Sequence, residues 1–297
     1  MLDFRMNTFL EVCRTMNYRA AAASLNMTQP AVTQHIQYLE REYGCRLFIY
    51  DGRVLHKTEE AEMLERYTEA ALINDLEFRE RVKDTPPKPL LIGATKTIGE
   101  YVLYDYLTEF SKNSGAEFSL VIDNTEHLLQ LLEKGKLDFA LIEGAVSHDF
   151  FSHRRWKEVP FIGLCATDHP FAGQDVSWKD VVQETLILRE QGSGTRTILE
   201  HQMYLRGYST RSFERLREVS SPRLIARFVR EGQGISFGYD PFLEDGLASF
   251  TVESGLPAGE FHYVWLSGTS GEEKIEQFER FSGMNIQDQE DQEEQHG

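Results

Sequence analysis

Tyr18-Arg19-Ala20-Ala21-Ala22-Ala23-Ser24-Leu25, continued by Asn26-Met27-Thr28-Gln29-Pro30-Ala31-Val32-Thr33-Gln34-His35-Ile36-Gln37-Tyr38-Leu39-Glu40, is the stretch on which the fold turns. The alanine run favours helix, and its small side chains let another helix approach closely. Asn26 tolerates the left-handed backbone that ends such a helix, and Met27 is placed to plug a core. Thr28 is a good N-cap, with Pro30 acceptable in the first turn of the next helix. That helix, from about Gln29 to Tyr43, turns Val32, Ile36, Leu39 and Tyr43 inward. Gln29, Thr33, Gln34 and Gln37 then form a polar, hydrogen-bonding face. The pattern is a tight helix-turn-helix. Upstream, Met6, Phe9, Leu10 and Cys13 fall at i, i+3, i+4 and i+7, one face of a preceding amphipathic helix.

Downstream, Gly44 stops the third helix. Arg46-Leu47-Phe48-Ile49-Tyr50 and Val54-Leu55-His56-Lys57 flank the turn Asp51-Gly52-Arg53, two short strands that read as a wing. Thr58 then caps a helix through about Val82, with Ala61, Leu64, Tyr67, Ala71 and Phe78 down one side and Leu72 and Leu76 beside them. A helix of about 25 residues spans roughly 37 Å. Its apolar stripe has no obvious core of its own, so pairing with the same helix of a second subunit is expected. The proline-rich stretch Asp84-Thr85-Pro86-Pro87-Lys88-Pro89 marks a boundary near residue 87. Beyond it, Leu90–Ala94, Glu117–Asp123, Leu137–Ile142, Phe161–Cys165, Thr185–Arg189, Ile235–Tyr239 and Tyr263–Leu266 read as strands alternating with helices, the arrangement of parallel α/β sheets. About two hundred residues of this pattern imply two lobes. The end of the chain, nearly all Gln, Asp, Glu and His, is expected to be a disordered acidic tail over 285–297.

The chain has a formal net charge of −17, which at face value opposes nucleic acid, because phosphate contacts need Lys and Arg. The distribution of charge along the chain points the other way. Residues 1–57 hold seven Lys or Arg against five Asp or Glu, so this part stands at +2 and the remainder at −19. An excess of +2 is modest for a DNA binder, and several copies acting together are expected to compensate. No run approaches the roughly 18 apolar residues of a membrane span, and the N-terminus lacks the pattern of a secretory signal. A cytoplasmic location without membrane contact is expected. Cys13, Cys45 and Cys165 have neither pairing nor metal-ligand spacing and read as buried free thiols. Enzymatic constellations are missing too. Gly192-Ser193-Gly194 lacks the spacing of a nucleophile elbow, Gly232-Gln233-Gly234 lacks a third glycine, and among the histidines only His148 and His153 are close.

Residues 1–283 resemble LysR-type transcriptional regulators. The resemblance is carried by the segment from Ala20 to Glu40, by the Arg46-Leu47-Phe48 step, and by Leu137-Asp138-Phe139-Ala140-Leu141-Ile142-Glu143-Gly144 with Gly232-Gln233-Gly234-Ile235-Ser236. Three features depart from the usual pattern: Tyr50 where Arg is common, Glu59-Glu60-Ala61-Glu62 after the wing, and Gln34 at a position often held by Arg. The resemblance implies an α/β protein with a winged helix-turn-helix over 1–58, a linker and dimerisation helix over 59–83, and an effector-binding domain over 88–284. That domain is similar to periplasmic solute-binding proteins, with two lobes and chain crossings near 163 and 265. It further implies double-stranded promoter DNA as partner, assembly with itself as a dimer of dimers, contact with RNA polymerase, and no cofactor beyond a small-molecule effector. The alternative is a ligand-binding sensor of the same fold without operator specificity.

Two sets of residues carry the expected chemistry. At the N-terminal turn of the third helix, Gln29 both donates and accepts and so suits adenine in the major groove. Pro30 suits a thymine methyl, Thr33 and Gln34 reach a base or phosphate, and Arg53 at the wing tip suits the minor groove. For the sensor, loops at the carboxyl ends of strands should meet between the lobes. Thr95, Lys96 and Thr97 open a helix after the first strand, and Ser193, Gly194, Thr195 and Arg196 repeat that arrangement in the other lobe. Such threonines also serve as ordinary helix caps. The Ser-Gly-Thr-Arg run resembles the branch concerned with sulfur metabolism, which implies a small oxyanion or carboxylate as effector.

Overall fold

The computed structural model describes residues 3–83, 88–144, 150–253 and 255–283. They separate into two compact units: the residues up to 83 with 267–270, and the rest. The proline-rich stretch falls largely, and the acidic tail over 285–297 wholly, outside the described residues.

The first unit opens with helices α1 (Arg5–Thr15), α2 (Tyr18–Ser24) and α3 (Gln29–Tyr43), continues as a hairpin of β1 (Phe48–Asp51) and β2 (Val54–Lys57), and ends in α4 (Glu59–Val82). Asn17 starts α2 by accepting hydrogen bonds from the Arg19 and Ala20 amides. Asn26 takes a left-handed φ of 54° between α2 and α3, and the Thr28 hydroxyl accepts from the Ala31 amide. Phe9, Val12, Ala21, Val32, Ile36, Leu39 and Leu47 close the core between the three helices and the hairpin. Tyr43, expected inward, is 48% exposed, because the last turn of α3 runs past this core. Ala61 and Leu64 of α4 are buried in the same core. The expectation that the long helix has no core of its own is therefore corrected for its first turns. Further along, Tyr67, Leu76, Phe78 and Val82 remain exposed.

The second unit runs β3 (Leu90–Thr95), α5 (Lys96–Tyr101), α6 (Leu103–Ser114), β4 (Phe118–Asp123), α7 (Thr125–Glu133), β5 (Phe139–Glu143) and β6 (Phe151–Val159). It continues with β7 (Phe161–Ala166), β8 (Asp175–Val176), α8 (Trp178–Val181), β9 (Thr185–Leu188), α9 (Gly194–Leu205) and β10 (Arg215–Glu218). The last elements are α10 (Pro222–Arg230), β11 (Ser236–Tyr239), β12 (Leu247–Val252), β13 (Gly259–Leu266) and α11 (Gly271–Ser282). One lobe is built on the sheet β4-β3-β5-β13-β6, the other on β11-β7-β12-β8 with the pair β9-β10, which Leu186 and Ile235 bridge to the strand β11 segment.

The sheets are mixed, not parallel throughout. β3 pairs in parallel with β4 and β5, whereas β13 runs antiparallel to β5 and β6, and β7 antiparallel to β11 and β12. β6 escaped the hydropathy reading because it is an edge strand whose residues alternate between burial and exposure and include His153, Arg154, Arg155 and Lys157. The chain passes to the second lobe at Pro160, between β6 and β7, and returns between Val252 and Gly259. Residues 163 and 265, the expected crossings, instead lie within β7 and β13, each wholly part of one sheet.

One hydrophobic core runs through both lobes. Tyr239 of the second lobe meets Phe261 of the first edge to face, ring centres 4.9 Å apart. In the second lobe Phe250 lies opposite Gly163 across the β12–β7 pair, and a Cβ on Gly163 would sit 2.3 Å from its ring. Gly163→Ala is expected to cost about 1–3 kcal/mol through overpacking, read as a lower midpoint in urea unfolding with an unchanged slope.

Candidate functional site

In the first unit, Gln29, Pro30, Gln34 and Gln37 are exposed along α3, and Arg53 is exposed beside Gly52 in the hairpin turn. Thr33 is half-buried and its hydroxyl donates to the Gln29 carbonyl at 3.0 Å. Gln29 and Arg53, 24 residues apart, line one concave surface of about 280 Å³ together with Asn17, Tyr18, Arg19 and Tyr50. Arg19, which by sequence reads as a merely solvated residue, lies on this surface as well. It reaches this surface because the turn sets the starts of α2 and α3 side by side, a juxtaposition that a ten-residue separation conceals. His35, on the same helix, is occupied elsewhere: its Nδ1 lies 2.8 Å from the Thr8 hydroxyl and its ring meets Phe4 edge to face.

In the second unit the parallel strands β3 and β5 end side by side, which sets Thr95 and Glu143 at the mouth of the first lobe. The Thr95 hydroxyl donates to Glu143 Oε1 at 3.2 Å. Glu143 Oε2 accepts from the Thr195 hydroxyl at 2.6 Å and from the Thr195 amide at 3.1 Å, at the start of α9 in the other lobe. All three residues are buried. Gly194 is required by the closeness of this approach, since a Cβ there would stand 2.8 Å from the Glu143 carbonyl oxygen. Beside it, Ser193 is the N-cap residue of α9, yet among the described residues its buried hydroxyl has no hydrogen-bond partner, and neither has that of Thr97.

Cationic groups stand on neighbouring residues, paired with other carboxylates. Lys96 donates to Glu190 Oε1 at 2.9 Å and to the Ser220 carbonyl at 3.1 Å, a second link between the lobes. Arg189, 4% exposed, donates through Nε to Glu190 Oε2 at 2.9 Å, while its buried Nη1 has no partner among the described residues. Arg196 bonds Glu200 at 2.8 Å, Glu218 at 2.6 Å and the Arg189 carbonyl at 3.0 Å, so its charge is met within its own lobe. Burial works to raise the Glu190 pKa, but hydrogen bonds from Arg189 and Lys96 outweigh it and hold the carboxyl below its ordinary value. Burial pushes the Tyr239 phenol well above its ordinary value, with the Glu143 charge adding to the effect. Among the sequence-derived residues, Thr95, Thr195 and Gly194 converge on Glu143, Lys96 faces Glu190, and Thr97 and Ser193 offer unsatisfied hydroxyls. Glu143 and Glu190 were missed. Glu143 ends an otherwise apolar strand and carried no signal of its own, and the Glu190 contact spans 94 residues.

Residues 5–62 match the bacterial regulatory helix-turn-helix protein, lysR family, and residues 83–284 match the LysR substrate binding domain. The chain belongs to the LysR family. It is a LysR-type transcriptional regulator with an effector-binding domain, from a family of regulators and not of enzymes. CbbR of Rhodospirillum rubrum is 30% identical over 241 residues, covering 78% of this chain and 77% of its own. CysL of Bacillus subtilis is 28% identical over 240 residues, covering 78% of each chain. Two solved structures share the fold. The Corynebacterium glutamicum OxyR C206 mutant has a TM-score of 0.59 at 23% identity, covering 96% of this chain and 91% of its own. The Synechocystis CcmR regulatory domain in complex with 2-PG has a TM-score of 0.57 at 20% identity, covering 64% and 95%. Among the described residues of this regulator, no helix is long and apolar enough to cross a membrane, and the three cysteines are free, with Cys13 and Cys165 buried and Cys45 half-buried.

The lowered Glu190 pKa fixes the sign of an acid effect. Its contribution to stability is present above the ordinary carboxylate value of 4.5 and is lost as pH falls through the lower folded value. Glu190→Gln is expected to lower Tm at neutral pH and to leave a shallower decline on acidification, measured by thermal melts from about pH 7 down to about pH 3.

Proposed function

We propose that this LysR-type regulator binds double-stranded promoter DNA through Gln29, Pro30, Thr33, Gln34 and Arg53, joined by Arg19, and is controlled by a small acidic effector between the lobes. The effector would meet Thr97 and Ser193 directly, framed by Gly194 and by Thr95, Thr195, Lys96 and Arg196, whose side chains are engaged by Glu143, Glu190, Glu200 and Glu218. The observation that carries the effector reading is that the buried hydroxyls of Ser193 and Thr97, neighbours of the Thr195 and Thr95 that join the lobes through Glu143, have no partner among the described residues. Buried polar groups of native proteins are almost always satisfied, by protein, ordered water or ligand, so two unmet hydroxyls beside the contact between the lobes support a polar ligand there. The likeness of Ser193-Gly194-Thr195-Arg196 to sulfur-metabolism regulators, with CysL among the relatives, supports a small oxyanion or carboxylate. CcmR, of the same fold, is described with 2-PG bound.

On the DNA side, Gln29 and Arg53 share one concave surface, which suits a helix N-terminus in the major groove with the wing tip on the flanking strand. The exposed apolar residues Met63, Tyr67, Phe78 and Val82 of α4 support pairing with a second copy. Two such pairs in a cytoplasmic homotetramer would compensate the modest charge of each DNA-binding unit. Effector binding then shifts a closure equilibrium of the lobes, re-angles the DNA-binding units, and alters DNA bending and recruitment of RNA polymerase.

The test is a gel-shift titration on the DNA upstream of the protein's own gene, at fixed salt, with random DNA as competitor and small acids added. Specific retardation that responds to one acid in the native chain and not in Ser193→Ala is the expected result. No preference over random DNA in any condition overturns the operator reading. Gln29→Ala is expected to lose on the order of 1–3 kcal/mol on the specific site alone. Arg53→Ala should weaken specific and random DNA alike and reduce the steepness of the salt dependence. Identical effects of both substitutions on both DNAs would show the groove assignment to be wrong.

A further inference from the structure

The cleft residues leave a complementary set of unmet groups. Glu143 is 5% exposed, and its partners are the Thr95 hydroxyl, the Thr195 hydroxyl and the Thr195 amide; among the described residues no Lys, Arg or His nitrogen lies within 4 Å of its carboxylate. A carboxylate accepts about four hydrogen bonds. Oε1 has one, at 3.2 Å, and so has room for a stronger donor. A buried carboxylate without a cation is costly, and a donor or positive charge brought to it is correspondingly favoured.

The converse defect lies on the same elements. Ser193 Oγ, Thr97 Oγ1 and Arg189 Nη1 are buried without acceptors among the described residues. Ser193 stands two residues before Thr195 and Thr97 two residues after Thr95, and both threonines hold Glu143. Arg189 is tied to the same helix through its carbonyl, which accepts from Arg196. The positive end of α9 is meanwhile spent on Glu143 itself, through the Thr195 amide. An acceptor with room for a further donor and donors that lack an acceptor thus fall on neighbouring residues of the same segments, 95–97 and 189–195, whose threonines hold Glu143.

Building on the effector reading above, we infer that the effector is a bifunctional acid, one whose acidic group meets Ser193, Thr97 and Arg189 while an ammonium or hydroxyl group on the same molecule donates to Glu143. A bare oxyanion supplies only half of this. Beside Glu143 it sets one acceptor against another with no donor between them, an arrangement that is unfavourable where water is excluded. A neutral molecule leaves the Arg189 N–H groups unmet. The cleft thus selects amino or hydroxy acids over the parent acids.

Isothermal titration of the full chain with acetate, glycolate and glycine, and with propionate, glycerate and serine, reads this selection. The substituted member of a series is expected to bind about tenfold or more tightly than its parent acid, the yield of one hydrogen bond to a charged group. Glu143→Gln keeps the shape and an oxygen for Thr195 but removes the charge, and it should collapse the advantage of glycine and serine. Ser193→Ala should weaken all members of a series alike. Should Glu143→Gln fail to fold, the ratios in the native chain decide. Parent acids that bind as tightly as their substituted forms overturn the inference and leave the acidic-effector reading standing. A native chain that binds none of the six at tens of millimolar overturns both.

Discussion

The carboxylate of Glu143 is where the two lobes of the effector domain are tied. Its strand, β5, ends beside β3, so one oxygen takes the Thr95 hydroxyl of its own lobe while the other takes the amide and hydroxyl of Thr195 across the cleft. A charged acceptor at a helix start is favoured by the unsatisfied amides there, and burial strengthens the bonds as it removes competing water. The glycine at 194 exists to permit this approach. Lys96, reaching across to Glu190 and Ser220, makes a second tie from the residue next to Thr95. The arrangement is polar at its centre and apolar around it, and that sharpens the demand that each polar group be met.

The DNA-binding unit is legible in the sequence because its signals are local. Asn26, Thr28 and Gly44 each fix a helix end through their own backbone or side chain, and the apolar spacing of α1 and α3 needs no distant partner to be read. Even so, the reach of the core along each helix is a tertiary matter. Tyr43 lies one turn past it, whereas Ala61 and Leu64 enter it from a helix whose stripe looked destined only for a second subunit.

The effector domain is less legible, for physical reasons that can be named. β6 carries His153, Arg154, Arg155 and Lys157 because an edge strand has one side to spend on water, and such a strand does not stand out as apolar. Antiparallel returns such as β13 depend on which segments meet in the sheet, and strand-like composition does not encode that. In the cleft, threonines and glycines announced themselves as loop residues at helix starts. Glu143 sits at the end of a buried strand among Phe139, Ala140, Leu141 and Ile142, and its role emerges only when α9 is brought against it. Arg196 is the converse case, conspicuous in sequence but held by Glu200 and Glu218 in the fold.

The shared aromatic core bears on how the lobes can move. Tyr239 and Phe261 pack against each other from opposite lobes, and Gly259 allows this because a Cβ there would lie 2.2 Å from the Tyr239 ring. Opening the lobes wide would wet both rings, each worth about 1.5–3 kcal/mol when buried. Sliding and small rotations that keep the rings in contact avoid that cost, so the packing favours them over wide opening. The two rings thus form an apolar pivot between the lobes, and a rotation about it would move the residues farthest from it most.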